Sequence, residues 1–444
     1  MSHIDFRINQ MSRQQVPLAT HLRKESIMRF PRTVFIVTVA LFFLGVALAP
    51  AQEKQEKKEV PVIAMTGGTL IDGNGGAPVP DAVVLIQGRK ILLAGPSATV
   101  KVPENAEKID VRGKFLLPGF IDCHIHTTYP FDERQFFTDT DASTTLRALY
   151  IMNLYLKSGV TSVRDVGSNV PSMQAITAAE AAGYVDSIRL FACGDVIMVT
   201  GGHGDGLKGT RAADGPWEWR KAIRQMFKDG FAHIKISPTF TLEEATAAAD
   251  EAKTLGMRIT AHGGGVSDTT PTTMTRIAVQ AGVQCIEHLN EMEDDVLDLM
   301  ARKGVYNVPT MAVYRDLYRT NQVPRVLVEK RHWTKAMHET LFQKARKRKI
   351  LMGIGTDYVI DLKHYPACYF DELKYFVELG VSPMETIVTA TKNGAIILGK
   401  ADELGTIEAG KLADIQVVSG DPLKSFDVLG NPEIVIVDGK VHRF

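Results

Sequence analysis

The sequence predicts an α/β fold, a (β/α)8 TIM-like barrel carrying a small β-sandwich built from both chain ends. Three observations predict it. Between residues 118 and 400, short apolar segments alternate with longer helical ones about eight times, the rhythm of parallel strands joined by crossover helices. On either side, residues 52–117 and 401–444 hold only short β-type runs separated by Gly, Asp and Asn. The chain of 444 residues with 37 glycines is long enough for one large barrel, a satellite and many tight strand-to-helix turns.

Residues 1–51 stand apart from this fold. Arg29 and Arg32 precede an uncharged apolar run from Thr33 to Ala49, and Ala49-Pro50-Ala51 supplies a small-x-small cleavage site. The run is short for a span and the charged stretch Glu53 to Glu59 follows it, so it reads as an export signal and not as a lasting membrane anchor. The expected location is therefore periplasmic or secreted. Residues 1–27 form a long polar preface, which leaves Met28 as an alternative start. Cys123, Cys193, Cys285 and Cys368 lack Cys-x-x-Cys spacing, and buried small hydrophobes are expected at Cys123 and Cys285.

The first part of the sandwich is expected from Pro61 to Met65, Ala82 to Ile86, Lys90 to Ala94 and Phe115 to Leu117. The barrel strands are expected at 119–124, 162–165, 187–191, 232–236, 258–262, 285–288, 306–309 and 352–356. Helices are expected from Ser143, Trp217, Leu242, Glu339 and Tyr369 onward. Ile415 to Val418 and Glu433 to Val437 complete the sandwich, with Asp438-Gly439 as a hairpin turn. With 51 basic and 51 acidic residues the formal charge is zero, and the basic residues form no stripe, so nucleic acid is excluded as a partner.

In such barrels the chemistry sits at the C-terminal ends of the strands. His124-Ile125-His126 ends the first, where alternation points both imidazoles to one side. His262 closes the fifth strand and His288 the sixth. Any one of these could be a hydrogen-bonded structural histidine, but four at one end of a barrel form a ligand set for a zinc-like metal. Asp357 ends the eighth strand, where a carboxylate can bind metal and accept a proton from water. Lys235 faces inward from the fourth, a costly place for an amine unless it is neutralised. A carbamate formed with CO2 would turn it into an anionic oxygen ligand.

This order of ligands resembles the amidohydrolase superfamily in its binuclear, carboxylated-lysine subtype. The flanks resemble it too, at Gly68-Thr69-Leu70-Ile71-Asp72-Gly73, at Leu117-Pro118-Gly119-Phe120-Ile121-Asp122, and from Gly405 to Asp414. The resemblance implies two divalent cations, zinc being the expected metal. His124 and His126 would hold one and His262 and His288 the other, with Lys235 bridging and Asp357 on the first cation and on the attacking water. It also implies a homo-oligomer.

The loop Thr200-Gly201-Gly202-His203-Gly204-Asp205-Gly206 resembles the branch that includes Xaa-Pro and Xaa-Arg/Lys dipeptidases and ochratoxin amidohydrolases. There His203 would steady the carbonyl oxygen as it becomes an oxyanion. Tyr314 resembles a residue of that branch and is read either as a hydroxyl donor to the substrate or as a packed tyrosine. Tyr358 departs from the small residue common at its position and bears on the shape of the pocket. His233 reads as a core histidine; His332, His338, His364 and His442 read as surface residues. The expected reaction is hydrolysis of an amide by hydroxide held between the cations, on a short peptide or other small molecule, releasing a C-terminal amino acid. An N-acyl amino acid and a cyclic amide are the rival substrates. Lactone or phosphotriester hydrolysis is a further possibility, and a dead metal-binding scaffold is the reading outside enzymes.

Overall fold

The structure, a computed structural model, describes residues 60–130, 133–264, 271–320, 333–359 and 361–444. The expected export signal and His332 lie outside these residues.

The chain enters with β1 (Val62–Leu70), β2 (Val79–Gln87) and β3 (Lys90–Pro96), an antiparallel meander. In β2, alternation sends Ala82, Val84 and Ile86 into one apolar cluster and Val83 and Leu85 into another, so this strand is covered on both faces. Next come β4 (Glu107–Asp110) and β5 (Lys114–Pro118), parallel to successive parts of β1. β4 was not expected, because Glu-Lys-Ile-Asp offers no apolar run.

The central region supplies β6 (Phe120–Ile125), β7 (Val160–Asp165) and β8 (Arg189–Ala192), a parallel sheet of three. A second parallel sheet has the order β10-β9-β11-β12-β13-β14. Its strands are β9 (Val196–Met198), β10 (Thr210–Ala212), β11 (His233–Ile236), β12 (Arg258–His262), β13 (Cys285–Glu287) and β14 (Tyr306–Val308). The expected eighth strand is not a regular strand; only Met352 bridges in parallel to Asn307. Its backbone nevertheless lies between β14 and β6. The Asn307 amide donates to the Leu351 carbonyl (3.0 Å), and on the other flank the Cys123 amide donates to the Ile354 carbonyl (2.8 Å). Gly355 makes this possible, since a Cβ there would lie 2.3 Å from Val308 Cγ1 and 2.7 Å from His124 Cβ.

Helices 141–158, 170–181, 216–228, 242–254, 271–281 and 294–303 each follow a strand of this region. Thr140 with Ser143, and Thr241 with Glu244, close capping boxes at two of them, satisfying amides that would otherwise be orphaned. One large apolar cluster fills the layer between strands and helices, Ile197, Ile234, Ile236 and Ile286 meeting Trp219, Ile223 and Met226. The neighbouring residues of these strands, Lys235 and Glu287 among them, therefore point the other way.

The chain ends in β15 (Ile415–Ser419), β16 (Ile434–Val437) and β17 (Lys440–Arg443). β15 pairs antiparallel with β5, so both chain ends share one sheet of order β17-β16-β15-β5-β1-β2-β3. The expected sandwich is thus one continuous hydrogen-bonded sheet, because β1 is long enough to pair with β4 along one half and with β5 along the other. Asp438 (φ 55°) and Gly439 (φ 78°) form the hairpin turn, their positive φ values matching the twist of the flanking strands. Among the described residues no helix is long and apolar enough to cross a membrane. All four cysteines are buried and unpaired.

Candidate active site

Six side chains expected from the sequence line one cavity of about 220 Å³: His124, His126, Lys235, His262, His288 and Asp357. The histidine rings are neighbours, with centroids 5.3 Å apart for His124 and His126, 4.9 Å for His124 and His288, and 4.4 Å for His262 and His288. Asp357 lies among them. Its Oδ1 is 3.3 Å from Nε2 of both His124 and His126, and its Oδ2 is 3.9 Å from Nε2 of His288.

What turns each imidazole inward is the partner behind it. Nδ1 of His124 meets Glu287 Oε2 at 2.7 Å, and Nδ1 of His126 meets the Gly167 carbonyl at 3.0 Å. Carbonyl and carboxylate oxygens only accept, so Nδ1 carries a proton in both rings and Nε2 is left facing the cavity. Nδ1 of His288 pairs with Thr310 Oγ1 at 2.8 Å. Such outward hydrogen bonds fix tautomer and ring orientation in metal-binding histidines. Backbone strain contributes as well. His288 (φ 69°), Thr310 (φ 50°) and Asp357 (φ 48°) are all in the left-handed region, which non-glycine residues adopt at a cost and which aims these side chains off the regular strand direction.

Burial would raise the Asp357 carboxyl, but the surrounding imidazoles, His124 first, hold it well below the usual carboxylate range. Burial pushes His262 and His288 well below the ordinary histidine value. It also lowers the Lys235 amine, against the pull of the Glu287 and Asp357 carboxylates. The donor set fits divalent cations: Nε2 of His124 is buried with no hydrogen-bond partner, and ligand atoms of His124, His288 and Asp357 all lie within 4.8 Å of one another.

His203 lines the same cavity, its ring centroid 4.7 Å from that of His262. Its loop is held by the His203 amide donating to the Pro238 carbonyl (3.0 Å). Tyr314 does not line the cavity with them. It packs edge-on behind His288 (5.9 Å) and stacks on His338 (4.4 Å). Tyr358 turns away, its ring against His364 and Tyr365, and Val359 takes its place in the wall. His233 is a satisfied core histidine, bonded to the Leu398 carbonyl at 3.2 Å. His338 corrects the surface reading: it is buried, and its ring nitrogens pair with Asn290 Oδ1 (3.3 Å) and Tyr318 Oη (3.2 Å). The polar residues nearby, Lys335, Glu339 and Thr340 among them, concealed an inward-facing helix position.

A second group able to hold a cation joins Asp316, His364 and Asp371. Arg315 lies within 3.4 Å of both carboxylates and already supplies the positive charge.

With this geometry in place, comparison with known proteins is decisive. The model of the amidohydrolase family matches residues 115–442. The chain belongs to the amidohydrolase family. It is therefore a hydrolytic enzyme. This amidohydrolase is 26% identical over 427 residues to the ochratoxinase of Aspergillus niger, with 85% of each chain covered. It is 24% identical over 386 residues to the imidazolonepropionase of Caldanaerobacter subterraneus subsp. tengcongensis, covering 78% of this chain and 85% of that one. Among solved structures, a Xaa-Pro dipeptidase with bound methionine in its active site superposes with a TM-score of 0.78 at 29% identity, over 86% of this chain and 100% of the other.

Sequence reasoning missed the layer behind the cavity histidines. In this amidohydrolase Glu287 binds Arg164 through Oε1 (2.6 Å) as well as His124 through Oε2, and Arg164 Nε donates to the Cys123 carbonyl (2.6 Å). Both were legible only as charges inside apolar strands. Tyr129, which stacks on His126 at 4.4 Å, and Met198 were missed because nothing in their local sequence marks a cavity wall.

Proposed function

We propose that this amidohydrolase is a binuclear metal-dependent enzyme on a closed (β/α)8 barrel, cleaving an amide and releasing a C-terminal amino acid from a dipeptide or short peptide. The observation that carries this reading is the convergence of His124, His126, His262, His288, Lys235 and Asp357 on one cavity, with an unpartnered Nε2 facing inward. His124 and His126 would hold one cation and His262 and His288 the other. Lys235, as a carbamate, would lie between them, and zinc suits the nitrogen and oxygen donors. Bound cations would supply Lewis acidity, lowering the pKa of water and polarising a carbonyl.

The protein's own groups do the rest. Asp357, held ionised, takes a proton from the attacking water and passes it to the leaving amine. His203, at the rim beside His262, donates to the carbonyl oxygen as charge develops there. Lys235 is favoured as a carbamate because burial disfavours its ammonium form.

A second reading, hydrolysis of an N-acyl amino acid such as ochratoxin A, is favoured by the ochratoxinase likeness across most of the chain. The apolar run 33–49 supports export, and oligomerisation is proposed from the family resemblance alone. Metal analysis of protein purified without chelator should give close to two equivalents, and one or none refutes the binuclear reading. The same protein should cleave members of a dipeptide library run beside N-acyl amino acids. If only the acyl compounds turn over, the second reading replaces the first.

A further inference from the structure

Part of the cavity lining is apolar. Val196 and Met198 alternate onto it from β9, while Ile197 between them is in the large core cluster. Leu207 closes it from the His203 loop, Tyr129 from the turn after β6, and Val359 from just beyond Asp357.

Val196 lies close to Tyr129, and Met198 to Leu207, around two glycines. A Cβ placed on Gly167 would fall 2.5 Å from Val196 Cγ2, 3.0 Å from the Tyr129 hydroxyl and 3.2 Å from His126 Cε1. A Cβ on Gly204 would fall 3.7 Å from Met198 Cε and 3.9 Å from Leu207 Cδ1. None of the five carries a charge. Lys235 and Asp357, the charged residues among the described cavity residues, belong to the proposed metal cluster. A charged side chain laid against this panel would lose its water, and the carboxylates that act on Tyr129, those of Asp165, Asp195 and Asp357, already face Thr127, Arg211 and the cavity histidines, whereas an apolar side chain would lose only water contact. The size also constrains the guest. A cavity of about 150 Å³ holds a benzene ring, and this one, about 220 Å³, also has to house the proposed metal cluster, so the panel has room for about one ring or branched chain.

Resting on the proposed amide hydrolysis, we infer that Tyr129, Val196, Met198, Leu207 and Val359 select substrates with an uncharged branched or aromatic side chain next to the scissile bond, against those with Lys, Arg or Glu there. Met198 is central, because its flexible thioether can adapt to rings and branches alike.

The test uses two matched pairs, Leu-Ala with Lys-Ala and Ala-Leu with Ala-Lys, on the full-length metal-loaded enzyme. In at least one pair kcat/KM should favour leucine by about tenfold or more. Both pairs agreeing within about threefold would overturn the inference. Met198→Glu should reduce or reverse the preference through KM, while the volume-conserving Met198→Leu retains it; an unchanged preference in Met198→Glu also overturns it. Calorimetric binding of ketomethylene isosteres of the same pairs separates the two claims. Tighter binding of the leucine isosteres without cleavage of any amide upholds the panel and sinks the proposed reaction.

Discussion

Glu287 and Arg164 offer the sharpest test of how the buried layer behind the cavity supports the site. Their side chains are 0% and 3% exposed and 2.6 Å apart, and Glu287 also receives the Nδ1 proton of His124. Glu287→Gln keeps the shape and removes the charge, stranding the Arg164 guanidinium. Breaking one partner of a buried pair costs about 3–5 kcal/mol, a large part of a typical stability of ~5–15 kcal/mol. Arg164→Met strands the carboxylate instead and should cost a similar amount. Combining Glu287→Gln with Arg164→Met leaves neither of these two charges facing a missing partner, so the double variant should be less destabilised than the sum of the two single changes by roughly 0.5–3 kcal/mol. Urea unfolding of chelated protein measures the three values without interference from bound metal. Additivity within about 0.5 kcal/mol would show that the two charges do not depend on each other. Glu287→Leu further frees the His124 ring, and metal affinity measured against a competing chelator should fall about 10–100-fold.

Four other outcomes follow from the same structure. Burial lowers the His338 imidazole to about 4 from an ordinary 6.5; the unfolded chain therefore takes up a proton first as pH falls. Its contribution is full above pH 6.5 and declines by ~1.4 kcal/mol per unit towards pH 4. His338→Phe should flatten that part of the stability profile, and an unchanged slope would remove His338 from it. Asp357→Asn should keep its metal, read by elemental analysis, while kcat falls about 10²–10⁴-fold; an undiminished rate would dismiss Asp357 as the base. In Lys235→Ala, short carboxylic acids should restore some metal binding and turnover, and full activity without them refutes the carbamate. Gly167→Ala should push Val196 and Tyr129 apart and lower kcat/KM with the far-ultraviolet dichroism intact; unaltered kinetics would mean that wall is not a substrate surface.

How much was legible in the sequence depended on whether the signal was local. β12 spans Arg258–His262 as expected, and the helices from Trp217 and Leu242 lie within a residue or two of their expected starts, because apolar period and capping residues are local. The eighth strand was placed correctly but mistyped. Gly353 and Gly355 sit there for close approach to Ile397, Val308 and His124, and the segment makes too few regular ladder bonds for a strand. His124, His126, His262, His288, Lys235 and Asp357 were legible because each follows or interrupts an apolar strand, where an imidazole or charge has no packing reason to be. Tyr314 and Tyr358 were placed by resemblance, which carries position along the chain but not the rotamer that turns Tyr358 towards His364.

Several residues that break local rules lie in or directly behind the cavity. An aspartate and a histidine with positive φ, a buried lysine and a glutamate inside an apolar strand each cost stability where they stand. The costs are linked. Asp357 adopts its strained φ while its amide donates to the His124 carbonyl (2.8 Å), so the strained turn also anchors the strand end that bears the first histidine pair. Thr310, strained too, receives His288 Nδ1 and starts helix 311–319, whose first two amides donate to Glu372. Relaxing the Asp357 turn would therefore move His124 as well, and relaxing the Thr310 turn would move His288, which gives the cluster a physical reason to behave as a unit rather than as separately adjustable side chains.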